Sequence, residues 1–166
     1  YRKHNWFSDN AARYDSYVRN EPKVFVGEYA AMSHGVGNPD NRNNLECALA
    51  EAAFMTGLER NADVVAMTAY APLAGHLDAW QWKPNLIWFD NLTVYGTPNY
   101  YVQKLFSTNR GDVVLPVKAD ETDGKLFVTA CRDKAAGQVI IKAVNISDQP
   151  MEATFDLQGA GIVESQ

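Results

Sequence analysis

Lys23-Val24-Phe25-Val26-Gly27-Glu28-Tyr29-Ala30 opens on a polar lysine, runs through three apolar residues and stops at a glycine and a carboxylate. An unbroken β-branched and aromatic run is what a strand buried on both faces requires. Gly27 has no Cβ and lets another group approach the backbone. Glu28 therefore stands at the C-terminal end of a buried strand, which in a (β/α) barrel is the active face. A carboxylate there serves as nucleophile, general base or ion-pair partner. Taken alone, such a glutamate is structural more often than catalytic.

Upstream, Phe7, Ala11, Tyr14 and Val18 recur at four-three-four spacing and predict a helix over Trp6–Arg19. Pro22 forces an extended entry into the strand. Downstream, residues 32–44 form a polar Gly/Asn-rich loop. A second helix is predicted over Leu45–Arg60, capped by Asn43 or Asn44, with Leu45, Leu49, Ala52, Met55 and Leu58 as its face. Val64–Tyr70 reads as another buried strand, and helix-strand-helix-strand alternation points to a parallel sheet. A long loop follows from Ala71 to about Leu92 and carries Trp80, Trp82, Trp88 and Phe89. Thr97-Pro98 starts a third helix, with Tyr101, Val102, Leu105 and Phe106 as its inward residues.

Near residue 110 the pattern changes. Asp112–Val117, Leu126–Cys131, Gln138–Asn145 and Met151–Leu157 are strand-like, punctuated by Asp123-Gly124 and Ala136-Gly137. Four β segments with short turns predict an antiparallel sheet.

The 166 residues carry a net charge of −5 with no Lys/Arg cluster, which argues against nucleic acid as a partner. No apolar run approaches a membrane span. Cys47 and Cys131 read as buried thiols rather than a disulfide. His34 and His76 have no third ligand at metal spacing, so no metal site is expected. Asn91-Leu92-Thr93 and Asn145-Ile146-Ser147 match the glycosylation pattern, a motif common by chance. The compartment stays open, a soluble chain from a secreted or periplasmic parent being one reading.

Several words, in order, resemble the C-terminal part of glycoside hydrolase family 51 α-L-arabinofuranosidases: Trp6-Phe7, Arg13-Tyr14-Asp15, Pro22 to Ala30, Glu51 to Asn61, Tyr70-Ala71-Pro72-Leu73, Leu86 to Asp90, Tyr95-Gly96-Thr97-Pro98 and Tyr100 to Gln103. The likeness is strong over residues 1–110 and weak beyond. It implies an α/β plus all-β fold: residues 1–110 as the last strands and helices of a (β/α)8 barrel, and residues 111–166 as part of an antiparallel β-sandwich. It implies no cofactor. It places Glu28 on the catalytic nucleophile of a retaining glycosidase that releases terminal arabinofuranose from arabinose-containing polysaccharides and oligosaccharides. Such an enzyme needs a second carboxyl as acid/base. The family takes it from an Asn-Glu pair ending the fourth strand, to which no part of this chain corresponds. The chain alone is therefore expected to be inactive.

Tyr1 resembles the tyrosine ending the family's sixth strand, near the nucleophile. Trp80, Gln81, Trp82 and Asn85 offer what sugar recognition needs, a flat apolar face and paired amide donors and acceptors. A self-packed loop explains them equally well. The family has one sugar-binding amide in this loop, and spacing leaves Gln81 and Asn85 both open. Tyr29 is a further substrate-side candidate or only flanks the nucleophile. Partners are then arabinose-containing glycans and the missing N-terminal barrel segments. Two strands standing alone would leave an open interior face, so self-association of the isolated chain is also expected. The rival readings are another retaining barrel glycosidase and a noncatalytic carbohydrate-binding or interaction module.

Overall fold

A computed structural model describes residues 1–119 and 123–159. Residues 120–122 and 160–166, part of the expected 111–166 unit, lie outside the described residues. The elements run β1 (Arg2–Lys3), α1 (His4–Asp9), β2 (Val24–Tyr29), β3 (Ala31–Met32), α2 (Leu45–Arg60), β4 (Val65–Tyr70), β5 (Ala74–His76), β6 (Ile87–Phe89), β7 (Val94–Gly96), α3 (Pro98–Thr108), β8 (Val113–Leu115), β9 (Leu126–Asp133) and β10 (Gln138–Asn145). They form a mixed helix–sheet fold with several small sheets.

The first helix is shorter than the periodicity predicts. The Asn10 side chain donates to the Trp6 carbonyl at 2.8 Å and ends α1. Residues 10–17 then continue as turns, with Arg13 bonded back to Asn10, Asp15 to Ala12 and Tyr17 to Tyr14. Phe7, Ala11 and Tyr14 of the expected stripe are buried, whereas Val18 is 55% exposed.

α2 keeps its predicted bounds, and Asn44 caps it by accepting from the Cys47 N–H at 2.9 Å. Its expected single face is wrong. Leu45 is exposed, and every residue from Ala50 to Leu58 is buried. α2 is a central helix, and its alanines let neighbours close in from several sides. On one side Phe54 meets Phe7 (ring centroids 5.5 Å apart) and Tyr29 (6.1 Å). On another, Ala52 and Ala53 meet Val144, with Val102, Phe106, Phe127 and Ile146 around them.

β2 and β4 pair in parallel, as predicted, and α2 is the crossover between them. Val24, Val26 and Val65 face the helical core, while Phe25 and Met67, paired across the strands, are 59% and 60% exposed. The stretch read as a long loop contains β5 and β6, and with β7 just after it they form a sheet in the order β5-β6-β7. Asp90 makes the tight β6–β7 turn by accepting from the Leu92 and Thr93 N–H groups. Those two bonds hold the Asp90 carboxyl below its usual range.

Thr97 and Pro98 start α3 as read, with the Thr97 hydroxyl accepting from Tyr100 N–H. Of its expected inward residues Val102 and Phe106 pack on the core, whereas Tyr101 and Leu105 are exposed and the polar Asn99 is buried instead. The β-rich segment forms a three-stranded antiparallel sheet in the order β10-β9-β8, not four strands. Met151–Leu157 is in no described sheet and is mostly exposed. Its alternating Met151, Ala153, Phe155 and Leu157 offer an apolar face, but no strand among the described residues pairs with it.

The antiparallel sheet is tied to α2 by a largely, not fully, buried ion pair. Lys142 of β10 meets Glu59, with its ammonium 5.0 Å from the centre of the Phe106 ring. The other Glu59 oxygen is buried without a partner among the described residues. The α2 C-terminus is fixed to the 10–17 turns by Arg60–Asp15 (3.0 Å) and by Asn61 donating to Asp15 (2.6 Å).

Two stability predictions follow from these contacts. A Cβ on Gly57 would stand 1.7 Å from the Ala11 carbonyl oxygen, a backbone atom with nowhere to rotate. Gly57→Ala should therefore destabilise the chain by about 3 kcal/mol or more, against a helix-propensity gain of about 1 kcal/mol. Equal urea midpoints for the variant and the original would refute the close approach. Lys142→Ala should cost about 3–5 kcal/mol because it strands a buried charge, while Lys142→Met with Glu59→Leu should recover most of the loss. A double variant no more stable than Lys142→Ala would count against the ion pair as the origin of that loss.

Candidate active site

β2 delivers Glu28 in an unusual way. Its pairing with β4 runs Val26↔Thr68 and then Tyr29↔Tyr70, so the register shifts across Gly27 and Glu28. Glu28 takes a φ of 23°, a region that L-residues rarely enter. Such strain persists where the surroundings enforce it, and it clusters at functional sites. The bulge leaves Glu28 exposed and turns the next residue, Tyr29, into the core.

Tyr1 meets this carboxylate. Its hydroxyl donates to Glu28 Oε2 at 3.2 Å. Partial burial pushes the Tyr1 hydroxyl above its ordinary range, and the Glu28 charge and hydrogen bond add to the rise. Tyr1 therefore stays a donor. β1, which follows it, pairs in parallel with β3 two residues past Tyr29, which fixes Tyr1 beside the end of β2.

Tyr29 does not share this exposed face. It is buried, its hydroxyl exchanges hydrogen bonds with the Gln103 carboxamide (2.9 and 3.2 Å), and its ring lies 5.8 Å from that of Tyr70. Trp80, Gln81 and Trp82 are exposed, and Lys83 sits over the Trp80 ring at 4.3 Å. Asn85 is 3% exposed and donates to the Trp82 carbonyl. A Cβ on Gly75 would stand 2.7 Å from its Nδ2. Of the residues singled out by sequence, Tyr1 and Glu28 come together, whereas Asn85 supports the loop from below.

Trp80 lines a cleft of about 410 Å³ with Asn43, Arg42, Trp88, Tyr95 and Lys83. The Asn43 side chain also donates to the Tyr70 hydroxyl at 2.8 Å, which links the cleft wall to the end of β4. The sequence reading did not place Arg42, Asn43, Trp88 or Tyr95 at the site. The Asn-rich run at 38–44 was the available signal. Cys47 and Cys131 are free, buried thiols. Among the described residues no three His, Cys, Asp or Glu side chains assemble into a metal-sized group. Nor is any described helix long and apolar enough to cross a membrane.

The sequence reading also missed Glu51. It is 0% exposed, and its Oε1 accepts from the Ala31 N–H at 2.7 Å.

The family model described as the alpha-L-arabinofuranosidase C-terminal domain matches residues 27–166. The extracellular exo-alpha-L-arabinofuranosidase of Streptomyces chartreusis is 52% identical over 122 residues, covering 74% of this chain and 14% of the relative. Alpha-L-arabinofuranosidase 2 of Arabidopsis thaliana is 36% identical over 149 residues, covering 88% and 21% respectively. A solved structure of an arabinose-bound GH51 α-L-arabinofuranosidase superposes with a TM-score of 0.82 at 39% identity, covering 88% of this chain and 25% of that one. The chain thus spans a quarter or less of each of these proteins. With the family model matching from Gly27 onward, and with relatives and solved structure agreeing, the chain belongs to the α-L-arabinofuranosidase C-terminal domain family.

Proposed function

We propose that the polypeptide carrying this chain is a retaining α-L-arabinofuranosidase acting on arabinose-containing glycans, with Glu28 as its nucleophile. One observation carries the assignment: an exposed carboxylate at the strained, bulged end of a parallel strand, met by a tyrosine hydroxyl, in a chain of this family. The Glu28 carboxylate attacks the anomeric carbon as the bond to the leaving oxygen breaks, and a second carboxyl protonates that oxygen. Water, deprotonated by the same second group, then displaces Glu28 and releases the sugar with retained configuration. Tyr1 holds Glu28 in line for attack. The aromatic faces and amides of the cleft beside β4 suit the flat apolar and hydroxylated sides of a sugar.

The acid/base group has no counterpart here. The one Asn-Glu pair, Asn20-Glu21, precedes β2 and so lies at the opposite strand end from Glu28. In this reading residues 1–110 are the closing part of a (β/α)8 barrel and residues 111–166 part of a β-sandwich. The uncovered Phe25–Met67 face is where the other barrel strands would complete the interior. A secreted parent agrees with the extracellular relative.

In the intact polypeptide, Glu28→Gln should lower kcat on an aryl arabinofuranoside by roughly 10⁴-fold or more while circular dichroism is unchanged. A mechanism-based arabinofuranosyl inactivator should label Glu28, and label on another carboxylate would overturn the assignment. Residues 1–166 alone should show no turnover above their own Glu28→Gln control.

A further inference from the structure

Behind Glu28, on the core side of β2, lies a carboxylic acid that the proposed chemistry does not use. Glu51 sits midway along α2 and is fully buried. Its Oε1 accepts the Ala31 N–H at 2.7 Å, three residues after Glu28. Its Oε2 has no partner among the described residues, and neither do the two polar atoms of the Asn99 side chain. Among the described residues no cation stands against it. The groups facing it are Tyr29 of β2, Cys47 of α2, Tyr70 of β4, and the uncharged Asn99 and Gln103 of α3.

A buried carboxylate without a cation is costly, and a lone glutamate in a core is retained only where something needs it. The hydrogen bond to Ala31 identifies that need. Tyr29 and Ala31 are the first and third residues after Glu28, and Tyr29 is itself held by Gln103. The Tyr29–Ala31 segment that leaves the bulge is thus held at two points, which supports Glu28 at its φ of 23°.

We propose that Glu51 is the positioning residue for Glu28, fixing through the Ala31 amide the bulged end of β2. This rests on the reading of Glu28 as nucleophile, but its physical core, the Glu51–Ala31 clamp, is testable without turnover.

The protonation state follows from the surroundings. Burial pushes the Glu51 carboxyl up to about 8, with the Ala31 N–H and the Asn99 and Gln103 carboxamides offsetting part of the rise. Cys47 is pushed up to about 12, and Tyr29 and Tyr70 are raised further from their ordinary values. All three neighbours stay neutral while Glu51 titrates. The folded pKa exceeds the unfolded one, so the stability contributed by neutral Glu51 is full below about 4.5. It is lost progressively as pH climbs through about 8.

Three substitutions test the clamp. In the unsubstituted chain the Ala31 amide should exchange slowly, and Glu51→Leu, which removes its acceptor, should accelerate that exchange by about tenfold relative to neighbouring amides. Glu51→Gln keeps the acceptor and should leave the Ala31 amide protected. In the intact polypeptide Glu51→Ala should lower kcat by about 10²-fold with KM little changed, the scale of a misplaced catalytic group. Glu51→Gln, which keeps the acceptor, should restore kcat to near the original value. Glu51→Leu, which fills the space without an acceptor, should behave like Glu51→Ala in kcat. An Ala31 amide indifferent to Glu51→Leu would overturn the clamp. A folded Glu51→Leu with unchanged kcat would overturn the positioning role. The exchange arm involves no substrate, so it stands or falls independently of the Glu28 assignment.

Discussion

A helix touched by neighbours along its whole length must be narrow, and α2 meets that constraint with alanines and Gly57. The turns after α1 reach it closely enough that the Ala11 carbonyl occupies the space of a Gly57 side chain. The β2–β4 sheet packs on it through Phe54 and Tyr29, α3 through Val102 and Phe106, and the antiparallel sheet through Val144. The same constraint explains its two buried carboxylates. With hardly any of α2 left for water, Glu51 and Glu59 must find partners inside: one a backbone amide, the other the Lys142 ammonium. The family words Arg13-Tyr14-Asp15 and Glu59-Arg60-Asn61 also gain a physical meaning. They are the two halves of one contact, in which Asp15 accepts from both Arg60 and Asn61.

Much of this was legible in the residues. The apolar run at Val24–Val26, the bounds of α2, the Thr97-Pro98 start and the hairpin of β9 and β10 all carry strong local signals: continuous hydrophobicity, caps and a Gly turn. What escaped was decided by tertiary contact. α1 stops early at Asn10, whose backbone N–H and side chain both donate to the Trp6 carbonyl, an ending no periodicity reveals. β5, β6 and β7 have three residues each, too short to show alternation. The inward sides of α2 and α3 were misread because amphipathic reasoning assumes one wet face. α2 has almost none, and α3 spends an inward position on the polar Asn99.

The site divides the same way. The strand-end setting of Glu28 was readable because a glycine and a carboxylate interrupt an apolar run. Its positive φ and its bond to Tyr1 were not, since both depend on residues far apart in sequence. Glu51 reads in the sequence as one more glutamate on a predicted helix. Only burial separates it from Glu46, one turn earlier and exposed on the same helix.

The two cysteines lie in different layers. Cys47 belongs to the aromatic core under β2, and Cys131 lies at the β9 surface against Glu59. Both are closed to solvent, and burial raises both thiols above their ordinary range. Neither is a ready nucleophile in the native state. Each sulfur is therefore a latent reporter of its own layer. An alkylating reagent that modifies one before the other would give the order in which the halves come apart, read by mass alone and without any introduced label.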